Sequence, residues 1–113
     1  MVQIKHEYLK SIDSTNNEIK RRALKGAEEG QVISAGMQTA GRGRSGHQWE
    51  TPADISIATS LLLRPTMPVE HLHSLTLVAA VAVRRAIEGL YDIETWIKWP
   101  NDVIVQGKKI CGI

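Results

Sequence analysis

The densest concentration of chemically useful side chains lies at residues 38–50, which read Q-T-A-G-R-G-R-S-G-H-Q-W-E. Gly41, Gly43 and Gly46 leave the backbone free to turn through positive φ and to approach a ligand closely. Arg42 and Arg44 carry planar guanidinium forks that match carboxylates and phosphates. The composition is that of an anion-binding loop. Its spacing also satisfies G-x-G-x-x-G, but a dinucleotide fingerprint needs a strand before it, a helix directly after it and an acidic residue about 20 positions on. Here Trp49, Pro52 and an alternating run from Ile55 follow, which reads as loop and then strand. A P-loop fails as well, because no Gly-Lys-Ser/Thr stands at the required spacing. The remaining alternative is a basic surface loop without a ligand.

Two further stretches carry charge beside turn formers: Lys98-Trp99-Pro100-Asn101-Asp102, and residues 107–113, which read G-K-K-I-C-G-I. Asn and Asp after Pro are ordinary turn residues, and tandem lysines also guard an exposed strand edge, so neither stretch commits to chemistry alone. His71 and His73, two positions apart, point in different directions on a helix and do not read as a metal pair.

These groups must be held by a chain of 113 residues, enough for one domain with a real core. Apolar residues make up 42% and charged ones 23%, values that exclude disordered and fibrous classes. Fourteen Lys and Arg against twelve Asp and Glu leave a net charge of +2, too small to argue for nucleic acid. Cys111 is the sole cysteine, which rules out an internal disulfide and suits a reducing cytoplasm. The start lacks a signal-peptide core, and no apolar run approaches a bilayer span, so no membrane role is expected.

Taken in order, Val2, Ile4, His6 and Tyr8 alternate with other residues and predict a strand over 2–9 with one face buried. Thr15 with Glu18 forms a capping box that opens a helix over 16–29, with Gly30 as its stop. The basic run Lys20, Arg21, Arg22 and Lys25 reads as a solvated helix face, since no aromatic residue interleaves with it. A short strand over 31–37 delivers the chain to the glycine loop. The run over 54–63 is apolar or small on both faces and predicts the central strand of its sheet. Pro68 opens a helix over 69–88, closed by Gly89 and apolar almost all round between Leu75 and Val83, as expected of a helix lying on a sheet. A strand over 93–99 and a hairpin turning at Gln106-Gly107 complete the chain.

Four stretches together, Ser11-Ile12-Asp13-Ser14-Thr15-Asn16, residues 38–49 with their Gly-Arg-Gly-Arg centre, K-W-P-N-D at 98–102, and residues 107–113, resemble the catalytic domain of biotin protein ligases in order and approximate spacing. The resemblance implies an α+β fold, a mixed β-sheet flanked by helices of the class II aminoacyl-tRNA synthetase and biotin ligase type. It implies ATP-dependent formation of biotinyl-5'-adenylate, then transfer of biotin to a lysine of a biotin carboxyl carrier domain. The family domain continues past the counterpart of Ile113, so residues 1–113 are expected to be its N-terminal part, with an open strand edge and an incomplete ATP pocket. Too few residues precede Ser11 for a helix-turn-helix, and direct DNA binding is not expected.

Carried over position by position, the resemblance places Ser14, Thr15, Asn16, Gln38, Gly41, Arg42, Gly43, Arg44 and Lys109 around biotin. Arg42, Arg44 and Lys109 are the groups expected to carry catalysis. Trp49, Lys98, Asn101 and Asp102 fall on the nucleotide side, with Asp102 a ligand for Mg²⁺. His47 stands where the family usually has arginine. The residue types suit the chemistry: a carboxylate that attacks an anionic α-phosphate needs cations where the charges meet, and one such pair at about 4 Å is worth roughly 4 kcal/mol at an effective dielectric of about 20, before desolvation. Two rival functions share parts of this reading: a lipoate or octanoate ligase or transferase of the same fold, and a non-catalytic biotin-binding fragment.

Overall fold

The computed structural model describes residues 1–113 and divides into two compact units, Met1–Pro65 and Thr66–Ile113. No helix is long and apolar enough to cross a membrane.

The first unit runs β1 (Lys5–Leu9), α1 (Thr15–Leu24), β2 (Gln31–Ala35), a 3-10 turn (Arg44–Gly46) and β3 (Ala58–Leu61). β1 lies parallel to β2, and β2 antiparallel to β3, so the sheet is mixed and β2 is its centre. The expectation that the run over 54–63 would be central is therefore corrected. Asp54 takes φ 66 and Ser56 Oγ donates to the Pro52 carbonyl at 2.8 Å, so residues 52–56 are spent on a turn. Ile55 and Ile57 are left more than 80% exposed, and the strand starts late, at an edge. β1 is also an edge strand and exposed along most of its length, not buried on one face.

α1 packs on β2 and β3 through Thr15 and Ile19, against Ile33, Ala35 and Ala58, which form the small apolar core of this unit. Its N-cap is Ser14, one residue earlier than the capping box predicted: Ser14 Oγ accepts from the Asn17 N–H at 3.2 Å. Glu18 is drawn away from a capping role by Arg21 and Arg22. The helix ends at Leu24, well short of Gly30. Gly26 turns left-handed at φ 89, letting the Ala27 N–H reach the Arg22 carbonyl at 3.0 Å. Arg64 then donates to the carbonyls of Ala23 and Ala27 at 3.2 and 2.8 Å, a cation on the negative end of the helix.

The basic run on α1 is not simply solvated. Arg21 binds Asp13 and Glu18, and Arg22 binds Glu18 and Glu7. The Arg21 guanidinium holds the Asp13 carboxyl far below its ordinary 3.8, and Arg22 lowers Glu7 and, with Arg21, Glu18 below their ordinary 4.5. Depressed carboxyls bind fewer protons in the folded than in the unfolded state, so their contribution is complete above the unfolded values and is lost as pH falls below them. An acid titration followed by circular dichroism should show this unit losing stability below pH ~4, and neutralising Arg21 and Arg22 together should lower its stability at neutral pH and flatten that acid-dependent loss.

The second unit runs α2 (His73–Leu90), β4 (Trp96–Lys98), β5 (Asp102–Val105) and β6 (Lys108–Gly112), after a 3-10 turn at Val69–His71. α2 lies against β4 and β5, as its all-round apolarity predicts, and Ala80, Val103 and Thr95 are fully buried. Pro68 caps the 3-10 turn and not α2 itself, and Gly89 sits inside the last turn of the helix. β4, β5 and β6 are antiparallel in that order. Gln106 at φ 50 and Gly107 at φ 74 make the two-residue turn that the sequence predicts between β5 and β6. Glu88 accepts from both the backbone N–H and the hydroxyl of Thr95 at 3.1 and 2.8 Å, bonds that lower its carboxyl and tie the end of α2 to the start of β4.

Candidate functional site

In the first unit the site grows from one side chain, Gln38. A short parallel bridge pairs Ile12 with Gln38, and beyond it Thr39 N–H reaches the Ile12 carbonyl at 2.9 Å and Ala40 N–H the Asp13 carbonyl at 2.7 Å. The turn before α1 and the start of the glycine loop are thereby laced together. Gln38 Oε1 accepts from the Thr15 N–H at 2.8 Å and the Thr15 hydroxyl at 3.2 Å. Its Nε2 donates to Thr51 Oγ1 at 3.1 Å. The Thr15 N–H is one of the donors a helix leaves unpaired at its start, so Gln38 completes the cap that Ser14 begins.

Counting protons decides which of these groups can serve a ligand. The Thr15 hydroxyl gives its hydrogen to Gln38, so the Ser60 hydroxyl, 2.9 Å away, must donate to Thr15. Thr15 is thus consumed by the fold. Ser14 Oγ accepts from Asn17 but keeps its own proton, and Gln38 keeps one Nε2 hydrogen. Asn16, exposed in the first turn of α1, is open to solvent. Ser60, Thr51, Asp13 and Asn17 were not singled out by the sequence as site residues. Ser60 and Thr51 are bonded to partners 45 and 13 positions away, which no local pattern marks, whereas Asp13 lies inside the 11–16 stretch and bonds Asn17 one helical turn on.

A concavity of about 320 Å³ is lined by residues 37–41 and 48–52, Gln38, Gly41, Trp49 and Thr51 among them. The loop between the two lining segments is a tight hairpin. Trp49 N–H bonds the Gly41 carbonyl at 3.0 Å, Gly43 N–H bonds the His47 carbonyl at 2.6 Å, and Arg42 bridges to Gln48. The three glycines serve different needs. A Cβ on Gly41 would lie 2.3 Å from the Trp49 carbonyl oxygen and 2.9 Å from Gln38 Nε2. Gly46 occupies φ 77 next to Ser45 at φ 56. Gly43 has neither constraint, since a Cβ there would meet His47 at an ordinary 3.5 Å. Replacing Gly43 by alanine should therefore leave the loop fold and melting temperature unchanged, as read by amide exchange over 41–49. Any loss of ligand affinity in that variant reports close approach of the ligand itself.

Arg42 and Arg44 are exposed at the hairpin tip, and Arg42 Nη2 donates to Asn17 Oδ1. His47 is exposed, and Trp49 is half-buried on the pocket wall.

Lys98, Asn101, Asp102 and Lys109 belong to the second unit. Lys98 is exposed on β4, opposite Asp102. Asn101 is buried, and its Nδ2 donates to the Ile113 carbonyl at 3.1 Å while the Ile113 N–H returns to the Asn101 carbonyl, so much of its capacity closes the end of β6. Lys109 Nζ lies 3.0 Å from Asp102 Oδ1. The register set by the two-residue turn makes that pair: Lys109 opposes Ile104, whose side chain shares a face with that of Asp102. Beyond it a bulge leaves Ile110 as the extra residue, with Cys111 opposite Val103.

For Mg²⁺ the fit is poor. No cluster of three or more His, Cys, Asp or Glu side chains exists, and Asp102 is one carboxylate already neutralised by Lys109.

The model of the biotin/lipoate A/B protein ligase family matches residues 8–113. The chain is 44% identical over 110 residues to the bifunctional ligase/repressor BirA of Bacillus subtilis, covering 97% of this chain and 33% of the relative. It is 41% identical over 105 residues to the biotin--[acetyl-CoA-carboxylase] ligase of Mycobacterium tuberculosis, covering 88% of this chain and 40% of the relative. The chain thus spans well under half the length of either. The biotin protein ligase from Aquifex aeolicus in complex with biotin and ATP superimposes with a TM-score of 0.82 at 36% identity, covering 93% of this chain and 43% of that one. The chain belongs to the biotin/lipoate A/B protein ligase family, and its likeness within that family is to biotin protein ligases.

Proposed function

We propose that this chain carries the biotin-binding and adenylate-forming part of an ATP-dependent biotin protein ligase, which activates biotin as biotinyl-5'-adenylate and passes it to a lysine of a biotin carboxyl carrier domain. The observation that carries the reading is the Gln38 cluster: a part-buried, oriented amide network on a concavity lined by the two segments that flank the glycine–arginine hairpin. A ureido ring needs donors and acceptors that are fixed before it arrives, because a buried polar group left unpaired costs about 1–3 kcal/mol. The Ser14 hydroxyl proton and the spare Gln38 N–H donate to the ureido oxygen, and Asn16 is the adjacent adaptable amide.

Arg42, Gly43 and Arg44 form the flap that closes on the carboxylate and then on the adenylate, while Trp49 packs against the apolar body of the ligand. Lys109, in the second unit, is a further cation for the anionic reactants. Held against Asp102 in the absence of ligand, it exchanges a carboxylate for the reacting oxygens. In that exchange biotin's carboxylate oxygen bonds the α-phosphorus of ATP and the bond to pyrophosphate breaks. The target lysine amine then attacks the acyl carbon, AMP leaves, and the amine proton is lost to solvent. Lys98 and Asn101 lie on the nucleotide side, and Asp102 serves as the partner of Lys109; no step is assigned to Mg²⁺.

The test is acid-dependent exchange of labelled pyrophosphate into ATP, with biotin, lipoate and octanoate compared at equal concentration. Exchange driven by biotin supports the proposal. Exchange driven by lipoate or octanoate in its place transfers the assignment to the neighbouring substrate class of the family.

A further inference from the structure

The arginines of α1 and Arg42 of the loop are treated differently by their surroundings. Arg21 and Arg22 are neutralised by carboxylates. Arg42 is held by a neutral oxygen, Asn17 Oδ1, and what fixes that oxygen is the residue behind it. Asn17 Nδ2 donates to Asp13 Oδ2 at 3.2 Å, and the same carboxylate receives Arg21 through a two-pronged contact at 2.8 and 3.0 Å. An ionised carboxylate can only accept. Asp13 therefore compels Asn17 to turn its nitrogen inward and its oxygen toward Arg42.

We infer that Asn17, oriented by Asp13, is a positioning residue that tethers the Arg42 guanidinium without neutralising it, so that the fork is pre-aimed at an anionic ligand yet keeps its charge. The inference rests on the biotin-site reading for the identity of that ligand, but the tether itself does not. One guanidinium N–H is spent on Asn17, and the others remain for a carboxylate or phosphate oxygen. A carboxylate at position 17 would hold the arginine more tightly and compete with the ligand for it. An aliphatic side chain would leave the loop to be ordered at the moment of binding.

Two variants separate this role from simple support of α1, with amide exchange over 41–47 measured in the ligand-free protein and biotin affinity measured by titration. Asn17→Ala should speed loop exchange and weaken biotin about fivefold, the worth of one ordinary hydrogen bond. Asn17→Asp, made together with Asp13→Asn so that an amide and not a second carboxylate stands behind it, should slow loop exchange, because the bond to Arg42 becomes charge-assisted, and yet weaken biotin by more than Asn17→Ala does. Opposite movements of loop order with a shared loss of affinity are the signature of a neutral tether. Unchanged loop exchange in Asn17→Ala would overturn the inference. So would Asn17→Asp with Asp13→Asn binding biotin as tightly as the unmodified protein, or both variants loosening the loop in step with their melting temperatures. If the unmodified protein shows no response to biotin at all, the biotin-site reading fails, and the ligand-free exchange of Asn17→Ala still decides the tether.

Discussion

Gly41→Ala is expected to lower the affinity for biotin by roughly 100-fold, about 2.7 kcal/mol, while the melting temperature of the protein changes little. The added methyl would stand 2.3 Å from the Trp49 carbonyl oxygen and 2.9 Å from the Gln38 amide nitrogen. The first is backbone and cannot swing aside. Relief requires the two arms of the hairpin to part, which breaks the Trp49 N–H bond to the Gly41 carbonyl and pushes Trp49 off the pocket wall. Relief on the other side disturbs Gln38, whose three hydrogen bonds set the polar end of the pocket. The loop carries none of the apolar core, so the damage should stay local. A titration calorimetry comparison with Gly43→Ala isolates the effect, because both add one methyl to the same loop and differ only in what the methyl meets.

Lys109→Ala is expected to reduce biotin-dependent adenylation by roughly 100- to 1,000-fold, the usual cost of removing a group that meets charge developing in the transition state. Part of any loss could be structural, since Asp102 would keep its charge without a partner. The pair is partly open to water, with Lys109 at 41% and Asp102 at 18% side-chain exposure, so its worth to stability is modest, about 1 kcal/mol or less. The double variant Asp102→Asn with Lys109→Ala removes the stranded charge. It should recover the melting temperature and leave adenylation as low as in the single variant. Recovery of turnover together with stability would remove Lys109 from the chemistry.

The choice of Lys109 over Lys108 illustrates what the sequence could and could not reveal. Spacing from Gly112 selected Lys109 as the cation for the reactants; its pairing with Asp102 was not foreseen and follows from the turn register, which sets Lys109 opposite Ile104. Some local signals were read well, though the cap and the end of α1 were not. The Gln106-Gly107 turn needs two left-handed residues in succession and has them. The glycine-rich segment is a loop, and α2 lies on strands as its all-round apolarity requires. Non-local pairing was not legible: the alternation over 54–63 looked central, whereas sheet order places β2 there and leaves Ile55 and Ile57 exposed.

The site shows the same division. Ser14, Thr15 and Gln38 were singled out by the family resemblance; Thr15 and Gln38 meet in space, and Ser14 beside them caps α1. Their division of labour was hidden, because it depends on Ser60 and Thr51, distant in sequence, taking up particular protons. Thr15 turns out to hold the site together with no hydrogen to spare. Arg42 was legible as a cation for an anion, but its Asn17 partner resembled an ordinary helix residue.

The account centres on the claim that residues 41–49 are a flap that orders around an acyl-adenylate. Hydrogen–deuterium exchange of those amides, recorded with and without biotinyl-5'-adenylate, addresses it directly. The account predicts marked slowing across Gly41, Arg42, Gly43 and Arg44 when the adenylate is added, with little change in β4. Exchange in the flap that is indifferent to the adenylate would contradict it.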